Sequence, residues 1–108
     1  MFLKPGVDIS KICPEIGDRL DVLDEIHKAY LSADLRITSG HEGKSGDGAH
    51  SVKSLHYKKR AIDIGWTFTI VNLRTVTAFF IKLLRIFPRS LFDVMFEINH
   101  IHIEYDPK

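Results

Sequence analysis

Residues 92–105, FDVMFEINHIHIEY, decide the fold of this chain. The pattern predicts two strands, Phe92–Phe96 and Ile101–Tyr105, joined by a turn near Asn99, because asparagine favours turns between apolar segments. Alternate residues of a strand share a face, so the histidines at 100 and 102 point one way and the isoleucines at 101 and 103 point the other. The chain therefore ends in a hairpin with one apolar face and one polar face.

The segments that precede this hairpin predict helices that can cover its apolar face. Residues 1–13 are interpreted as a lead-in with a turn at Pro5-Gly6, and Pro14 suits the first position of a helix. An amphipathic helix of about four turns follows, with apolar residues spaced three and four apart at Ile16, Leu20, Leu23, Ile26 and Tyr30. Asn72 is a good N-cap for a second helix over 73–87, which Pro88 ends.

Two further strands are predicted on either side of a polar segment. Residues 35–38 form the first, and the apolar run Ala61–Gly65, with Asp63 inside it, forms the second. Residues 39–54 are rich in glycine and serine and predict a long loop, and such loops often carry function. The predicted fold is one α+β domain over residues 1–108, with helices on one face of a mainly antiparallel sheet.

Composition excludes several classes of protein. The 108 residues are 44% hydrophobic, and no apolar run reaches the ~20 residues of a membrane-spanning helix. A net charge of +1 argues against a general nucleic-acid binder. One cysteine excludes an internal disulfide framework and a cysteine-rich zinc site. The notable excess is six histidines, of which five lie between His41 and His102.

Asp63 and three of the histidines suggest a metal site. Asp63 sits in a buried-looking strand, where a lone carboxylate is costly unless it is paired or binds a metal. His56 lies seven residues earlier, and His100 and His102 share a strand face. Two histidines and one carboxylate, with water in the fourth position, form a catalytic zinc arrangement. Such a site needs a carboxylate base, and Glu97 is the candidate. Counting along the strand puts Glu97 on the face opposite His102, so a bulge or the turn would have to re-aim its side chain.

The ordered set of motifs resembles the M15 zinc peptidases, which include D-alanyl-D-alanine carboxypeptidases and phage L-alanyl-D-glutamate endolysins. It also resembles the amino-terminal signalling domain of hedgehog proteins, which shares that fold. The resemblance covers roughly residues 35–106. It is carried by RITSG at 36–40, His50, SLH at 54–56, AIDI at 61–64 and HIH at 100–102.

The resemblance implies a role for each matching residue. His56, Asp63 and His102 would be the zinc ligands, and His100 and His50 would lie beside the metal and help hold the oxyanion. Arg36 and Ser39 would help hold the substrate. Asn99 stands where many members have the acidic base, so Glu97 would take that role. A second assignment stays open, in which Glu97 and His100 are the base and ligand and His102 is their neighbour.

These observations predict a zinc-dependent peptidase acting on peptidoglycan stem peptides. A zinc domain that binds a partner without catalysis is the alternative, and a metal-free domain is a third, weaker one. We expect a monomer that binds no nucleic acid and does not insert into a membrane. The N-terminus lacks the apolar segment of a secretory signal, so we expect synthesis in the cytoplasm and action on the cell wall after lysis or from a virion.

Overall fold

The computed structural model of this protein describes residues 1–40, 60–65 and 73–107. Its elements lie close to the predicted ones along the chain. Most of the predicted 39–54 loop and the Asn72 cap lie outside the described residues. In chain order the elements are β1 (Phe2–Leu3), α1 (Pro14–Gly17), α2 (Leu20–Leu31), β2 (Arg36–Ser39), β3 (Ala61–Gly65), α3 (Leu73–Ile86), β4 (Phe92–Phe96) and β5 (His100–Tyr105).

The strands form a sheet in the order β1-β2-β3-β5-β4. The β2–β3, β3–β5 and β4–β5 pairs are antiparallel, so the predicted α+β class and the mainly antiparallel sheet are confirmed. The β1–β2 pair is parallel, which makes the sheet mixed. The predicted turn at Pro5-Gly6 is confirmed, but the lead-in also contains a strand, because the Phe2 and Lys4 amides donate to the Leu35 and Ile37 carbonyls at 2.8 and 2.9 Å. A two-residue strand is too short to show a periodicity in the sequence.

The predicted single helix of four turns is also wrong, because it divides at residues 18 and 19 into α1 and α2. In a continuous helix the Arg19 amide would donate to the Glu15 carbonyl. Here that amide donates to the Ile16 carbonyl, and the Arg19 guanidinium donates to the Glu15 carbonyl at 2.6 Å instead. The same guanidinium also donates to the Ile86 carbonyl at 2.9 Å, which ties the break to the end of α3.

Helices α2 and α3 cover one face of the sheet. Every second residue of the three inner strands is fully buried in the same cluster as the helix side chains. Burial of these side chains supplies most of the stability of the fold. The cluster includes Ile37, Ile62, Ile64, Ile101 and Ile103 from the strands and Leu23, Val76, Phe79 and Leu83 from the helices.

The opposite face of the sheet carries the polar residues of the same strands. Asp63 pairs with His102, and Gly65 pairs with His100. On its other side, β3 pairs with β2, where Ser39 lies opposite Asp63 and a shift in register falls at Thr38. The residues that pack the core and those that form the polar face therefore alternate along each strand. Within the described ranges, no helix is long and apolar enough to span a bilayer.

Candidate functional site

Asp63 and His102, two of the three predicted metal ligands, are in direct contact. They are cross-strand neighbours on β3 and β5, 39 residues apart in the chain. The Nδ1 atom of His102 lies 2.6 Å from Oδ1 of Asp63, and their side chains are only 12% and 16% exposed. Nothing in the local sequence links these two residues, so their meeting is a consequence of the strand register.

Glu104 completes a chain of three polar side chains. It lies two residues after His102 on the same face of β5, and its Oε1 atom is 2.6 Å from the second ring nitrogen, Nε2. With a carboxylate at each nitrogen, the imidazole donates at both ends, which is the bonding of the protonated ring. Burial lowers the pKa of His102, but the hydrogen bonds and charges of Asp63 and Glu104 outweigh it and raise the pKa above its usual value.

This arrangement fits a metal ligand pair after a small change. Two ligands around tetrahedral zinc lie about 3.3 Å apart, so Nδ1 and Oδ1 would have to separate by under about 1 Å. The ring would also lose the Nδ1 proton, since a metal binds neutral imidazole. Glu104 would then keep the other N–H, as carboxylates do behind metal-bound histidines. Asp63 and His102 are therefore suited to hold one divalent ion together.

A cavity of about 400 Å³ opens beside this pair. Its wall includes four residues that the sequence singled out, namely Arg36, Ser39, Asp63 and His100. The strand register explains the grouping, because Arg36 and His100 flank Gly65 on either side while Ser39 lies opposite Asp63. Ser39 is 8% exposed, whereas Arg36 is open to solvent. Both predicted substrate-binding residues therefore line the cavity that adjoins the predicted metal ligands.

His100 has one ring nitrogen engaged by its neighbour. Nδ1 lies 2.8 Å from Oδ1 of Asn99, so the ring donates there. In the neutral ring, Nε2 then carries the lone pair and acts as an acceptor or ligand. His100 can donate a hydrogen bond to an oxyanion from Nε2 only when it is protonated. The contact of His100 with Asn99 therefore does not decide whether His102 or His100 is the third ligand.

The expected misalignment of Glu97 with His102 is wrong. The two strands pair so that Met95 faces His102 and Phe96 faces Ile101. The Glu97 amide donates to the His100 carbonyl at 2.9 Å, which extends the pairing by one step and puts Glu97 across from His100. Residues directly opposite each other share a face, so no bulge is needed to bring Glu97 to the polar side. Its side chain is exposed at the hairpin end.

Two predicted residues, His50 and His56, lie outside the described residues. Within the part of the chain that is described, one group of three potential ligands is close enough to hold an ion, and it differs from the predicted set. It consists of Asp93, Glu104 and Asp106, whose ligand atoms lie within 4.8 Å of one another. These carboxylates are half-buried or exposed at the β4–β5 end of the sheet.

Sequence reasoning missed several neighbours of the site. Glu104 has no role in the predicted site, although its two-residue spacing from His102 in a strand is the signal that puts both on one face. Thr38 and Asn99 line the cavity, although sequence reasoning assigned neither of them a role in binding. Lys4 also lines it, and it reaches the site only because β1 adds to the sheet edge. No pattern in residues 1–13 indicates that pairing.

Comparison with known proteins gives no match to a family model, to a curated protein or to a solved structure.

Proposed function

We propose that this protein is a zinc-dependent peptidase that hydrolyses amide bonds in peptidoglycan stem peptides. The bond would lie between L-alanine and D-glutamate, as for an endolysin, or between two D-alanines, as for a carboxypeptidase. The observation that carries the proposal is the contact of Asp63 with His102, beside a cavity lined by Arg36, Ser39 and His100. On this proposal the protein meets its substrate in the cell wall, after lysis or from a virion.

Asp63 and His102 would hold the metal together with His56. A zinc ion in such a site lowers the pKa of water to about 7 and polarises a carbonyl. Glu104 would fix the ring of His102 through Nε2, at the contact now 2.6 Å long. These assignments agree with the resemblance to the M15 peptidases and rest on it for His56.

The remaining residues would act on the peptide and the attacking water. Glu97 would take a proton from that water and pass it to the leaving amine, from the same sheet face as His100. His50 and His100, when protonated, would donate hydrogen bonds to the charge that develops on the scissile carbonyl. Arg36 and Ser39 would hold the peptide in the cavity that adjoins Asp63.

The test is hydrolysis of purified peptidoglycan by the zinc-loaded full chain, with mass spectrometry of the released muropeptides. We expect one new amine and one new carboxylate per cut, and their position identifies the bond. No released peptide from any wall type, with zinc bound at one equivalent, would contradict the peptidase and favour the non-catalytic zinc domain. Elemental analysis without zinc would favour a metal-free domain.

Glu97→Gln tests the assigned base. We expect it to lower the rate at least about hundredfold, the usual contribution of a general base, with zinc still bound. Glu25→Gln is the matched control, because Glu25 is an equally exposed acid on α2, on the helical side of the sheet. Full activity of Glu97→Gln would assign the base elsewhere.

A further inference from the structure

We propose that Lys4 and Arg36 form a subsite for a carboxylate group of the peptide substrate, inside the cavity that adjoins Asp63. The inference rests on the proposed peptidase function and goes further by assigning an anionic substrate group to a place. It also gives a binding role to β1, which has none in the resemblance.

The strand register puts the two cations on the polar face. Arg36 pairs with Phe2 and Leu3 with Ile37, so Lys4, the residue directly after the edge strand, follows on the same face as Phe2 and Arg36. The Lys4 amide donates to the Ile37 carbonyl, which holds the backbone at this point. Both side chains line the cavity and both are exposed.

Their charges are not neutralised by the neighbouring side chains. Within residues 1–40, 60–65 and 73–107, neither cation forms a salt bridge. Asp63 is the one acid among the described residues of the cavity wall, and its Oδ1 atom is held by His102. Two cations on the wall of one cavity repel each other and attract a small anion. Arginine adds a planar fork that matches a carboxylate.

The floor between Arg36 and His100 is kept open by Gly65. A Cβ atom at this position would lie 2.8 Å from Cγ2 of Thr38 and 3.8 Å from Cδ of Arg36. Any side chain there would crowd the space over which Arg36 lies. The absence of a side chain leaves room for a ligand group between the cations and His100, on the side of the cavity next to Asp63.

Free carboxylates of two kinds occur in the proposed substrates, the C-terminal group of D-alanine and the α-carboxylate of D-glutamate, whose side chain is joined to the next residue. Both present the same planar anion to the subsite. A ligand seated there would place a neighbouring amide toward Asp63 and His100, which line the same cavity. The subsite would thus set the distance between the recognised carboxylate and the cut bond.

The test measures binding to the full chain without metal, prepared on a chelating resin because soluble chelators are themselves carboxylates. The probes are N-acetyl-D-Ala-D-Ala and an N-acetyl-L-Ala-D-Glu γ-amide whose α-carboxylate alone is ionised, each against its fully amidated analogue. Titrations are followed by nuclear magnetic resonance of backbone amides. We expect at least one carboxylate probe to bind about tenfold or more tightly than its neutral analogue, with the preference shrinking at high salt.

Lys4→Met and Arg36→Met should each remove most of that preference, whereas Lys4→Arg should keep it. Lys82→Met is the control, since it removes one cation from α3 on the helical side. Equal binding of charged and neutral probes, or an unchanged preference in Lys4→Met, would overturn the subsite. If peptide bonds are cut while Lys4→Met behaves as wild type, this inference fails alone. If the carboxylate preference is found and no peptide is ever cut, the peptidase proposal fails and the subsite stands.

Discussion

The two faces of the sheet are built from the same strands and serve different ends. On β5, Ile101 and Ile103 are fully buried under the helices, while His102 between them contacts two carboxylates on the other side. One face gains stability from apolar burial, and the other concentrates polar groups that are stable only because they bond to one another. The comparison teaches that stability and chemistry can be altered separately by substituting adjacent residues.

The largest effect is expected on the buried face. Ile103→Ala should lower the free energy of unfolding by about 3 kcal/mol, because it leaves a cavity beneath α2 and α3. Urea unfolding of the metal-free protein measures this. Ile98→Ala is the control, because Ile98 is 89% exposed at the hairpin tip and should cost under about 0.5 kcal/mol. Similar losses for both would mean that this face is not the core.

On the polar face, His102→Ala should weaken zinc binding more than about hundredfold, since it removes a proposed ligand rather than a residue behind one. Competition with a zinc-sensitive dye measures the affinity. His100→Ala is the matched variant, and a larger loss there than in His102→Ala would assign the third ligand to His100.

Glu104→Ala should weaken zinc binding about tenfold, because the ring of His102 would lose the carboxylate that orients it. Glu104→Gln should recover part of the loss, since the amide oxygen can still accept from Nε2. The same dye competition applies, with Glu25→Ala as an exposed control. An affinity equal to that of the wild type would leave Glu104 as a simple surface acid.

The smallest effect is expected for Asp24, a carboxylate on the helical side of the sheet. Asp24 bonds to a backbone amide and a lysine and lies outside the candidate site. Its Oδ1 atom accepts the Leu35 amide at 3.0 Å, and its Oδ2 atom pairs with Lys28 at 3.2 Å. Burial alone would raise the pKa of Asp24, but the Leu35 amide, the Met1 amino group and Lys28 hold it below its usual value.

Asp24→Asn should therefore cost about 1 kcal/mol at neutral pH. A pKa lowered by folding gives stability that is full above the unfolded value, about 3.9, and is lost as pH falls through the folded value. The difference from wild type should thus shrink on acidification below about pH 4. Urea unfolding at neutral pH and below about pH 4 measures this difference in the free energy of unfolding, with Glu25→Gln as control. A difference that stays constant with pH would contradict this role.

The inner strands and α3 were predictable because each is long enough to show its pattern of apolar and polar residues. Strands Ala61–Gly65 and Phe92–Phe96 have the predicted bounds, and α3 ends one residue early at Ile86. The break at Arg19 was not predictable, because it depends on a guanidinium bond to the Ile86 carbonyl 67 residues away. The edge strand β1 was missed for a similar reason, since its pairing is set by β2 and not by its own residues.

Part of the candidate site could also be predicted. The alternation around Ile101 and Ile103 places His100 and His102 on one face, and the cost of a buried Asp63 marks it as paired. The register that joins Asp63 to His102 is long-range and could not be predicted, although the metal hypothesis had already grouped the two residues. The face of Glu97 was misjudged because parity was counted along the chain, whereas the hairpin reverses direction between the two residues.

The central position of β3 has a consequence for exchange of a bound ion. Asp63 is flanked by hydrogen-bonded strands on both sides, so fraying of the edge strands does not separate it from His102. A zinc ion held there would keep both ligands until the interior of the molecule opens, and it would exchange with solvent through the adjoining cavity. At a concentration one hundred times its dissociation constant, it would add about 2.7 kcal/mol to the cost of that opening. The urea midpoint of unfolding would then rise with the zinc concentration.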